Sequence, residues 1–475
     1  MGGGGEKDLR ALQEAPAVGV PLPTDEELAG ILKGAATRLA GSRWSADKEA
    51  RGLEVRELFR LFEDGEATCF AAIFSFPPSA TRYFAPFFSA PKLSEAEPDP
   101  RFIEFAVGAI CSGKVVRGRF SNLRWEGPLF PPGKVSSVER LGGDTTNAVV
   151  KFRLGRARAV FKSYRTVDAF NPEPELLSYL SAKGCKTTPR VLGSVTVVPE
   201  GPAGTGARQT TIGLLTGFAP GVPAFPAFVG NARRSMSRGL PPHDCIPARL
   251  GIALGDLHQL LSARGAPPDI RPGEIAAEDL ARWRCLVKGR FETAREALSP
   301  EKAPRLAACR EALYRLLGGM DDWAGALKLR THQDLHLAQV LLSRGGFRFL
   351  DFEGEPLRKG QDRIEKLPPE RDVATMLRSI SYAAASALRE LKDPGDNERR
   401  RARDWEQATS TSFIEGYLSS CPRPVRKRGK KRLLAAVRLW MAEKALYEIA
   451  YEARFRPEIV DLPLEGFLRI VAGSS

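Results

Sequence analysis

Four polar side chains lie on either side of a short hairpin signal in the C-terminal half of the chain. They are Asp334, Gln339, Asp351 and Glu353. The apolar runs 340–342 and 347–350 read as strands, and Gly345-Gly346 between them is a turn signal. Folding of this hairpin brings the two pairs together at its open end. Carboxylate and amide oxygens suit Mg²⁺, and a carboxylate can orient and deprotonate an attacking hydroxyl, so the spacing predicts phosphoryl transfer from a metal-bound nucleotide.

A second group of residues could hold that nucleotide. Lys162 ends a strand-like run, and Glu175 opens a helix soon after it. A strand lysine paired with a helix glutamate positions the α- and β-phosphates in kinases. The turn 142–147 can present backbone N–H groups and hydroxyls to phosphates, and we expect Phe218 at a hinge that meets adenine. Two alternatives remain open. Lys162 could instead be a surface lysine without a glutamate partner, and Phe218 could instead be a buried core aromatic.

The wording of the hairpin region resembles a known superfamily. His332-Gln333-Asp334, Gln339 and Asp351-Phe352-Glu353 resemble the His-x-Asp, metal-ligand and Asp-Phe-Gly elements of the protein-kinase-like superfamily. His-x-Asp-x-His is typical of the aminoglycoside-phosphotransferase branch. Four segments look more like those of the maltokinases. They are Asp-Leu-His-Leu-Ala-Gln, Asp-Phe-Glu-Gly-Glu-Pro and the segments 371–382 and 444–457. The resemblance runs from residue 24 to the C-terminus.

This resemblance implies a fold and a domain order. The fold is α+β, a bilobed eukaryotic-protein-kinase-like fold with an additional N-terminal α+β cap domain. We expect a mobile N-terminus at 1–22, the cap domain with a connecting helix at 23–135, a nucleotide-binding N-lobe at 136–220 and a mostly helical C-lobe at 221–475. The segment 222–242 is expected to be an irregular connection.

The resemblance also implies an activity, transfer from ATP to a sugar, with maltose favoured and maltose 1-phosphate as the product that feeds α-glucan synthesis. Asp334 would be the base, with His332 positioning its loop. Gln339 and Asp351 would bind Mg²⁺, whereas Glu353 would bind either the metal or the sugar. The ATP contacts would be Lys162, Glu175, Thr145, Thr146, Asn147 and Phe218.

The last part of the chain carries the predicted sugar site. Helical spacings of three, four and seven place several aromatic and charged residues on one side of a helix at 433–455, and such a surface suits a sugar. With residues near the hairpin, the predicted sugar contacts are His336, Glu355, Arg378, Tyr382, Trp440, Lys444, Tyr447, Glu448 and Tyr451. The alternative is a helix packed on its neighbours with buried tyrosines. His258 is expected to be a core histidine, and Asp372 to support the catalytic loop.

Composition limits the cellular compartment and the classes of partner that we expect for this protein. The chain has 475 residues and a net charge of +14. Seven cysteines without a CxxC pair argue against disulfides or zinc and for a reducing cytoplasm. No apolar run is long enough to span a membrane, and the first residues lack an apolar core, so we expect no secretory signal there. Much of the positive charge lies in 423–432, where no aromatic residue interleaves. We therefore expect a solvated loop there and no nucleic-acid partner.

Two rival functions stay open at this level. One is a kinase of another sugar such as glucosamine, because related sugar kinases share the catalytic wording. The other is a catalytically idle sugar- or nucleic-acid-binding module on the same fold. The presence of Lys162, Asp334 and Asp351 counts against the idle module. The sequence does not decide whether a trehalose synthase binds as a partner.

Overall fold

A computed structural model describes residues 22–473 except 66, 129–132, 143–145, 168–169, 201–207, 240–244, 356–357 and 359. Thr145 and nearly all of the N-terminal segment expected to be mobile lie outside the described residues. The chain divides into two compact units, Met1–Ala169 with Leu192–Gly217 and Phe170–Val191 with Phe218–Ser475.

The first unit begins with two helices and a four-stranded antiparallel sheet. These elements are α1 (Asp25–Gly34), α2 (Ala36–Ala40), β1 (Glu54–Asp64), β2 (Ala67–Ser75), β3 (Arg82–Phe88) and β4 (Ser94–Glu95), with strand order β1-β2-β3-β4. Thr24 begins α1 in a capping box, because its side chain accepts from the backbone N–H of Glu27 and the Glu27 carboxylate accepts from that of Thr24. Trp44 and Tyr83 are buried in the core of this layer.

A seven-stranded sheet completes the first unit. Its elements are the helix α3 (Pro100–Ser112) and the strands β5 (Val115–Arg117), β6 (Ser121–Glu126), β7 (Val135–Arg140), β8 (Ala148–Leu154), β9 (Ala157–Ser163), β10 (Val191–Pro199) and β11 (Thr210–Gly217). The strand order is β5-β6-β10-β11-β9-β8-β7. The boundary predicted at residue 136 falls inside this sheet, since β5 and β6 precede that residue and β6 pairs with β10.

The second unit is mostly helical, as the sequence predicts for this part of the chain. Its helices are α4 (Glu173–Ala182), α5 (Ala224–Arg238), α6 (Ile246–Leu261), α7 (Ala277–Ala297), α8 (Ala303–Ala307), α9 (Arg310–Gly318), α10 (Glu370–Arg389), α11 (Asp396–Ser420), α12 (Arg423–Phe455) and α13 (Asp461–Ala472). Short 3₁₀ turns cover Gly319–Trp323, Leu337–Gln339, Gly360–Ile364 and Pro457–Ile459. The strands are β12 (Val222–Pro223), β13 (Gly273–Glu274), β14 (Leu327–Lys328), β15 (Val340–Ser343) and β16 (Gly346–Phe349).

Two expectations about irregular segments are wrong. The segment 222–242 contains α5, whose buried side includes Phe228 and Met236. The basic segment 423–432 is helical, with one break at Gly429, where φ is 83°. One side of this helical segment packs against the protein, since Val425 is buried and the Arg428 side chain is 18% exposed.

Helices α6 and α11 touch through glycines. A Cβ added to Gly416 would lie 1.9 Å from the carbonyl oxygen of Ala248, and one added to Gly251 would lie 2.1 Å from that of Phe413. These distances leave no room for any side chain, so the two backbones meet directly. This contact matters for the site below because α6 carries His258 and α11 carries Tyr417.

We expect Gly416→Ala to lower the free energy of unfolding by about 2 kcal/mol or more, because overpacking forces two backbones apart. The matched control is Gly289→Ala in α7, where an added Cβ meets no atom within 4 Å. There alanine should stabilise the helix by about 1 kcal/mol. Thermal unfolding of both variants beside the parent protein measures the difference. Equal melting temperatures for the two variants would contradict the close helix contact.

Candidate active site

The predicted hairpin forms, and its outer ends converge. Strands β15 and β16 pair antiparallel from Val340 opposite Phe349 to Ser343 opposite Gly346. The turn is therefore Arg344-Gly345, one residue earlier than expected, since Gly346 already opens β16 with φ of 109°. At the open end, the side-chain amide of Gln339 donates to the Asp351 carboxylate at 3.0 Å.

The loop before the hairpin is held by one buried carboxylate. The backbone N–H groups of His332 and Gln333 donate to the two oxygens of Asp372 at 2.8 and 3.0 Å. Gln333 has a left-handed backbone with φ of 70°, which is uncommon for a residue with a side chain and is maintained here by these bonds. The supporting role expected for Asp372 is confirmed.

Asp372 is itself held by a histidine. His258 lies 3.2 Å from Asp372 through Nε2 and 3.0 Å from the Tyr417 hydroxyl through Nδ1, and all three side chains are buried. Burial alone would raise the pKa of Asp372, but the hydrogen bond and charge interaction with His258 lower it below its ordinary value. Asp372 therefore stays ionised, and His258 is the core histidine that the sequence predicts.

His332 joins the catalytic loop to the second half of the hairpin. Its Nε2 lies 2.8 Å from the carbonyl oxygen of Leu350, and its ring centroid lies 4.4 Å from that of Phe352. The side chain is buried. These contacts fit a residue that positions the loop.

Three carboxylates form a possible metal site. One oxygen from each of Glu173, Asp351 and Glu353 lies within 4.8 Å of the others. Asp351 has a left-handed backbone with φ of 62°, and the Glu173 carboxylate accepts from the backbone N–H of Phe352 at 3.2 Å. Hard oxygen donors at this spacing fit Mg²⁺. Gln339 faces Asp351 through its amide nitrogen, so in this arrangement it holds Asp351 in place.

Sequence reasoning missed Glu173 and chose its neighbour two residues on. The Glu175 carboxylate lies 3.4 Å from Arg330, and its side chain is 39% exposed. Glu173 is buried at the start of α4. The signal that could have found it is the pair of glutamates in one first turn, since residues two apart on a helix point in different directions.

Asp334 contacts a lysine from α12. Lys444 Nζ lies 3.0 Å from the Asp334 carboxylate and 3.3 Å from that of Glu355. Burial alone would lower the pKa of Lys444, but these two carboxylates raise it above its usual value, so the amine stays protonated. Asp334 keeps 17% of its side chain exposed, with the imidazole of His336 at 3.9 Å. Burial lowers the pKa of His336 against the opposing effect of Asp334.

Glu355 is the centre of a buried ion cluster. The cluster contains Glu355, Glu443, Arg290, Arg371, Arg358 and Lys444. Glu355 lies 2.6 Å from Arg290 and 2.8 Å from Arg371 and is fully buried. Burial would raise its pKa, but the surrounding cations, Arg290 foremost, hold it well below the usual range. Glu355 was predicted to bind sugar. Its burial makes it instead a residue that holds Lys444.

Trp440 is the clearest error among the predicted sugar contacts. It is 1% exposed and packs edge-on against Trp283, with Trp323 on another side. The helical spacing correctly placed it near the other α12 residues. Spacing alone could not show that this part of the helix faces the core.

Six of the other predicted sugar contacts lie on or beside one side of α12, although Arg378 is only 2% exposed. Arg378 of α10 donates to Glu448 at 2.6 Å, and its guanidinium lies 5.6 Å from the ring of Tyr382. The rings of Tyr447 and Tyr451 stack at 6.2 Å, and both side chains are partly exposed. These rings adjoin Lys444, whose ammonium lies 4.4 Å from the ring of Tyr447.

The first unit holds most of the other predicted ATP contacts. Lys162 is partly buried on β9, between Val149 of β8 and Leu214 of β11. Asn147 is buried, and its side-chain oxygen accepts from the backbone N–H of Arg165, whereas Thr146 is exposed. Phe218 is partly buried and is the first residue of the second unit after β11. Pairing of Lys162 with Glu175 stays a prediction.

No family model matches the chain. It is 24% identical over 257 residues to a glucosamine kinase of Streptacidiphilus jiangxiensis, covering 53% of this chain and 55% of that protein. It is 24% identical over 368 residues to a glucosamine kinase of Mycolicibacterium smegmatis, covering 74% and 82%. The match to the first relative thus spans about half of that relative's length.

A solved glucosamine kinase in complex with glucosamine, ADP and inorganic phosphate is similar over 95% of this chain and 100% of its own, with a TM-score of 0.70 and 19% identity. This likeness confirms the predicted fold, the α+β protein-kinase-like class. The maltokinase branch finds no support, since the relatives carry another name. None of the described helices is long and apolar enough to cross a membrane.

We expect Glu355→Gln to destabilise the fold by about 3 kcal/mol or more at pH 7, because it leaves buried cations without their carboxylate. The matched control is Glu465→Gln, which breaks an exposed contact with Arg305 and should change stability little. Urea unfolding of both variants gives the two differences.

The pH dependence of unfolding of the parent protein and of Glu355→Gln tests the charge state of Glu355. Its folded-state pKa lies below the unfolded value of about 4.3, so its stabilising effect is complete above that pH and is lost as the pH falls through the folded-state pKa. The difference in the free energy of unfolding between the parent protein and Glu355→Gln should therefore become smaller at acid pH. A stability difference that widens as the pH falls from 7 towards about 4.3 would show instead that the folded-state pKa of Glu355 is raised and that Glu355 is protonated in the fold.

Proposed function

We propose that the protein is an ATP-dependent sugar kinase, with glucosamine as the first candidate acceptor. One observation carries the proposal: the loop of Asp334 and the carboxylates of Asp351 and Glu353 meet at the open end of one hairpin, next to Glu173. An accessible carboxylate beside a cluster of metal-type oxygens is what in-line phosphoryl transfer requires. The similarity to two glucosamine kinases supports the same class.

Asp334 is the proposed base. A sugar hydroxyl oxygen forms a bond to the γ-phosphorus of ATP, the bond from that phosphorus to the β–γ bridging oxygen breaks, and ADP leaves. The hydroxyl proton passes to the Asp334 carboxylate. Lys444 holds that carboxylate from α12, while Asp372 and His332 fix the backbone of its loop. Catalysis here depends on placement and charge, so small displacements of this loop are costly.

Mg²⁺ would neutralise the phosphate charge when bound with ATP. Glu173, Asp351 and Glu353 are the described residues whose oxygens could hold it. Lys162 remains the proposed partner of the α- and β-phosphates, with Thr145, Thr146, Asn147 and Phe218 as further proposed ATP contacts. Glu175 remains the proposed partner of Lys162, and Glu173 is the added candidate for the metal, because it is buried beside Asp351 and accepts from the Phe352 backbone N–H.

The proposed acceptor site is the side of α12 next to Asp334. Tyr447 and Tyr451 offer ring faces to the C–H groups of a sugar, and Glu448 with Arg378 supplies charged hydrogen-bonding groups. The named relatives favour glucosamine over maltose as the acceptor. Maltose stays the second candidate, on the wording at 371–382 and 444–457. A role in α-glucan synthesis and a trehalose synthase partner have no support in the relatives.

The direct test is release of ADP from Mg·ATP over a panel of acceptors: glucosamine, maltose, glucose, trehalose and an aminoglycoside. We expect glucosamine to give the highest kcat/KM and chelation of Mg²⁺ to abolish turnover. Faster turnover of maltose would reassign the acceptor within the same class. Absence of turnover with every sugar would contradict the proposal and favour a binding module.

Removing the proposed base should abolish most of this activity. We expect Asp334→Asn to lower kcat by about a thousandfold, because general-base catalysis and orientation of the hydroxyl are lost together. Asp404→Asn, an exposed position on α11, is the matched control and should keep parental rates. Near-normal turnover by Asp334→Asn with the best acceptor would exclude Asp334 as the base.

A further inference from the structure

A second concave site lies away from the catalytic loop, among helices α10, α11, α12 and α13. We call it the four-helix groove. Its volume is about 550 Å³, within the range of small-molecule sites. Five basic side chains and one carboxylate line it: Arg378, Arg403, Lys430, Arg438, Arg469 and Glu406. None of the residues of the Asp334 loop, the hairpin or the carboxylate cluster contributes to it.

Two of the five cations are already engaged. Arg378 donates to Glu448, which neutralises much of its charge. Arg438 donates to the carbonyl oxygens of Ile470 and Val471 at 2.7 and 3.1 Å and so satisfies the C-terminal end of α13. These bonds shape the wall of the groove.

The other three cations have little compensation. Lys430 lies 3.8 Å from Glu415, and Arg469 lies 3.7 Å from Glu406, both beyond good hydrogen-bonding distance. Arg403 has no ion pair among the residues that the structure describes. Three side chains from three helices therefore converge on one groove with donors available. Such an arrangement suits a phosphate group.

The neutral part of the lining limits what the rest of the ligand can be. Gln407, Ser410 and Thr411 offer hydroxyl and amide groups, and aliphatic side chains such as Ile414 and Val437 form the floor. Among the described residues that line the groove, none is aromatic, so a nucleobase would find no ring to stack on. Hydroxyl-rich groups fit this lining better.

We propose that the four-helix groove binds a phosphorylated sugar, with the phosphate held by Arg403, Lys430 and Arg469 and the sugar hydroxyls held by the residues of α11. None of the three phosphate-binding side chains belongs to the proposed acceptor site, although Arg378, which is bonded to Glu448, contributes to the walls of both. Binding here needs neither ATP nor turnover.

Isothermal titration without ATP or Mg²⁺ tests the proposal, with glucose 6-phosphate as the probe and inorganic phosphate, glucose and ADP beside it. We expect one saturable site for glucose 6-phosphate, weaker binding of inorganic phosphate, and none of glucose. Arg403→Ser/Lys430→Ser should weaken binding of the probe by about tenfold or more, since two charge-assisted contacts are lost. Both side chains are exposed, so the fold should persist.

The control variant is Arg400→Ser/Lys427→Ser. It removes the same charge from exposed positions of the same two helices, outside the groove. It should keep the parental Kd within twofold. An equal loss of affinity for glucose 6-phosphate in both variants would show that net charge alone accounts for the binding, and this would contradict the proposed site. So would the absence of saturable binding, equal affinity for inorganic phosphate, or unchanged binding by the groove variant.

The acceptor panel, run on the same two variants, separates this proposal from the proposed function. Parental rates are expected in both, because these positions lie outside the catalytic residues. Absence of turnover with every acceptor would contradict the kinase proposal and would not affect the titration result. Absence of saturable binding in the titration would contradict the groove proposal and would not affect the kinase proposal.

Discussion

The first turn of α10 fixes the shape of the Asp334 loop. Arg371 and Asp372 are adjacent, fully buried and opposite in charge, and each binds the loop backbone. Asp372 accepts from two backbone N–H groups, and Arg371 donates to the carbonyl oxygen of Gln333 at 2.7 Å. A buried charge is costly unless its hydrogen bonds are complete. Here the partners of both charges are loop atoms and neighbouring buried ions, so the loop and the cluster require each other.

The hairpin and its convergent side chains could be predicted from sequence because their determinants are local. Two short apolar runs and a glycine turn specify a ribbon, and a ribbon brings its ends together wherever it lies in the fold. The same reasoning supplied Asp334, whereas the role of His332 was implied by the resemblance to the protein-kinase-like superfamily and Asp372 was expected to support the loop. The turn was misplaced by one residue, since either glycine of the pair can take the left-handed backbone and only the strand register decides which one does.

The residues that were misjudged depend on long-range packing. Glu355 follows the Asp-Phe-Glu wording and looks like a site residue, but Arg290 of α7 and Arg371 of α10 surround it. Trp440 shares a helix side with Tyr447, yet Trp283 and Trp323 pack against Trp440 and bury it, whereas Tyr447 stays partly exposed. Helical periodicity gives the angle around an axis and does not tell which neighbours cover each part of a long helix. The basic segment at the start of α12 was misjudged for the same reason.

The sequence motifs predict the sugar acceptor less well than the reaction, and the geometry of the site gives the reason. Phosphoryl transfer needs the same carboxylates whichever sugar attacks, so the hairpin identifies the chemistry alone. In the proposed kinase, selection of the sugar would belong to the side of α12 beyond Lys444. That helix cannot move freely, because Lys444 is tied to both Asp334 and Glu355. On the proposed function, a change of acceptor would therefore arise from side chains outside the ion cluster, at Tyr447, Tyr451 and the Arg378–Glu448 pair. The buried cluster would keep Asp334, the proposed base, in place while those positions vary.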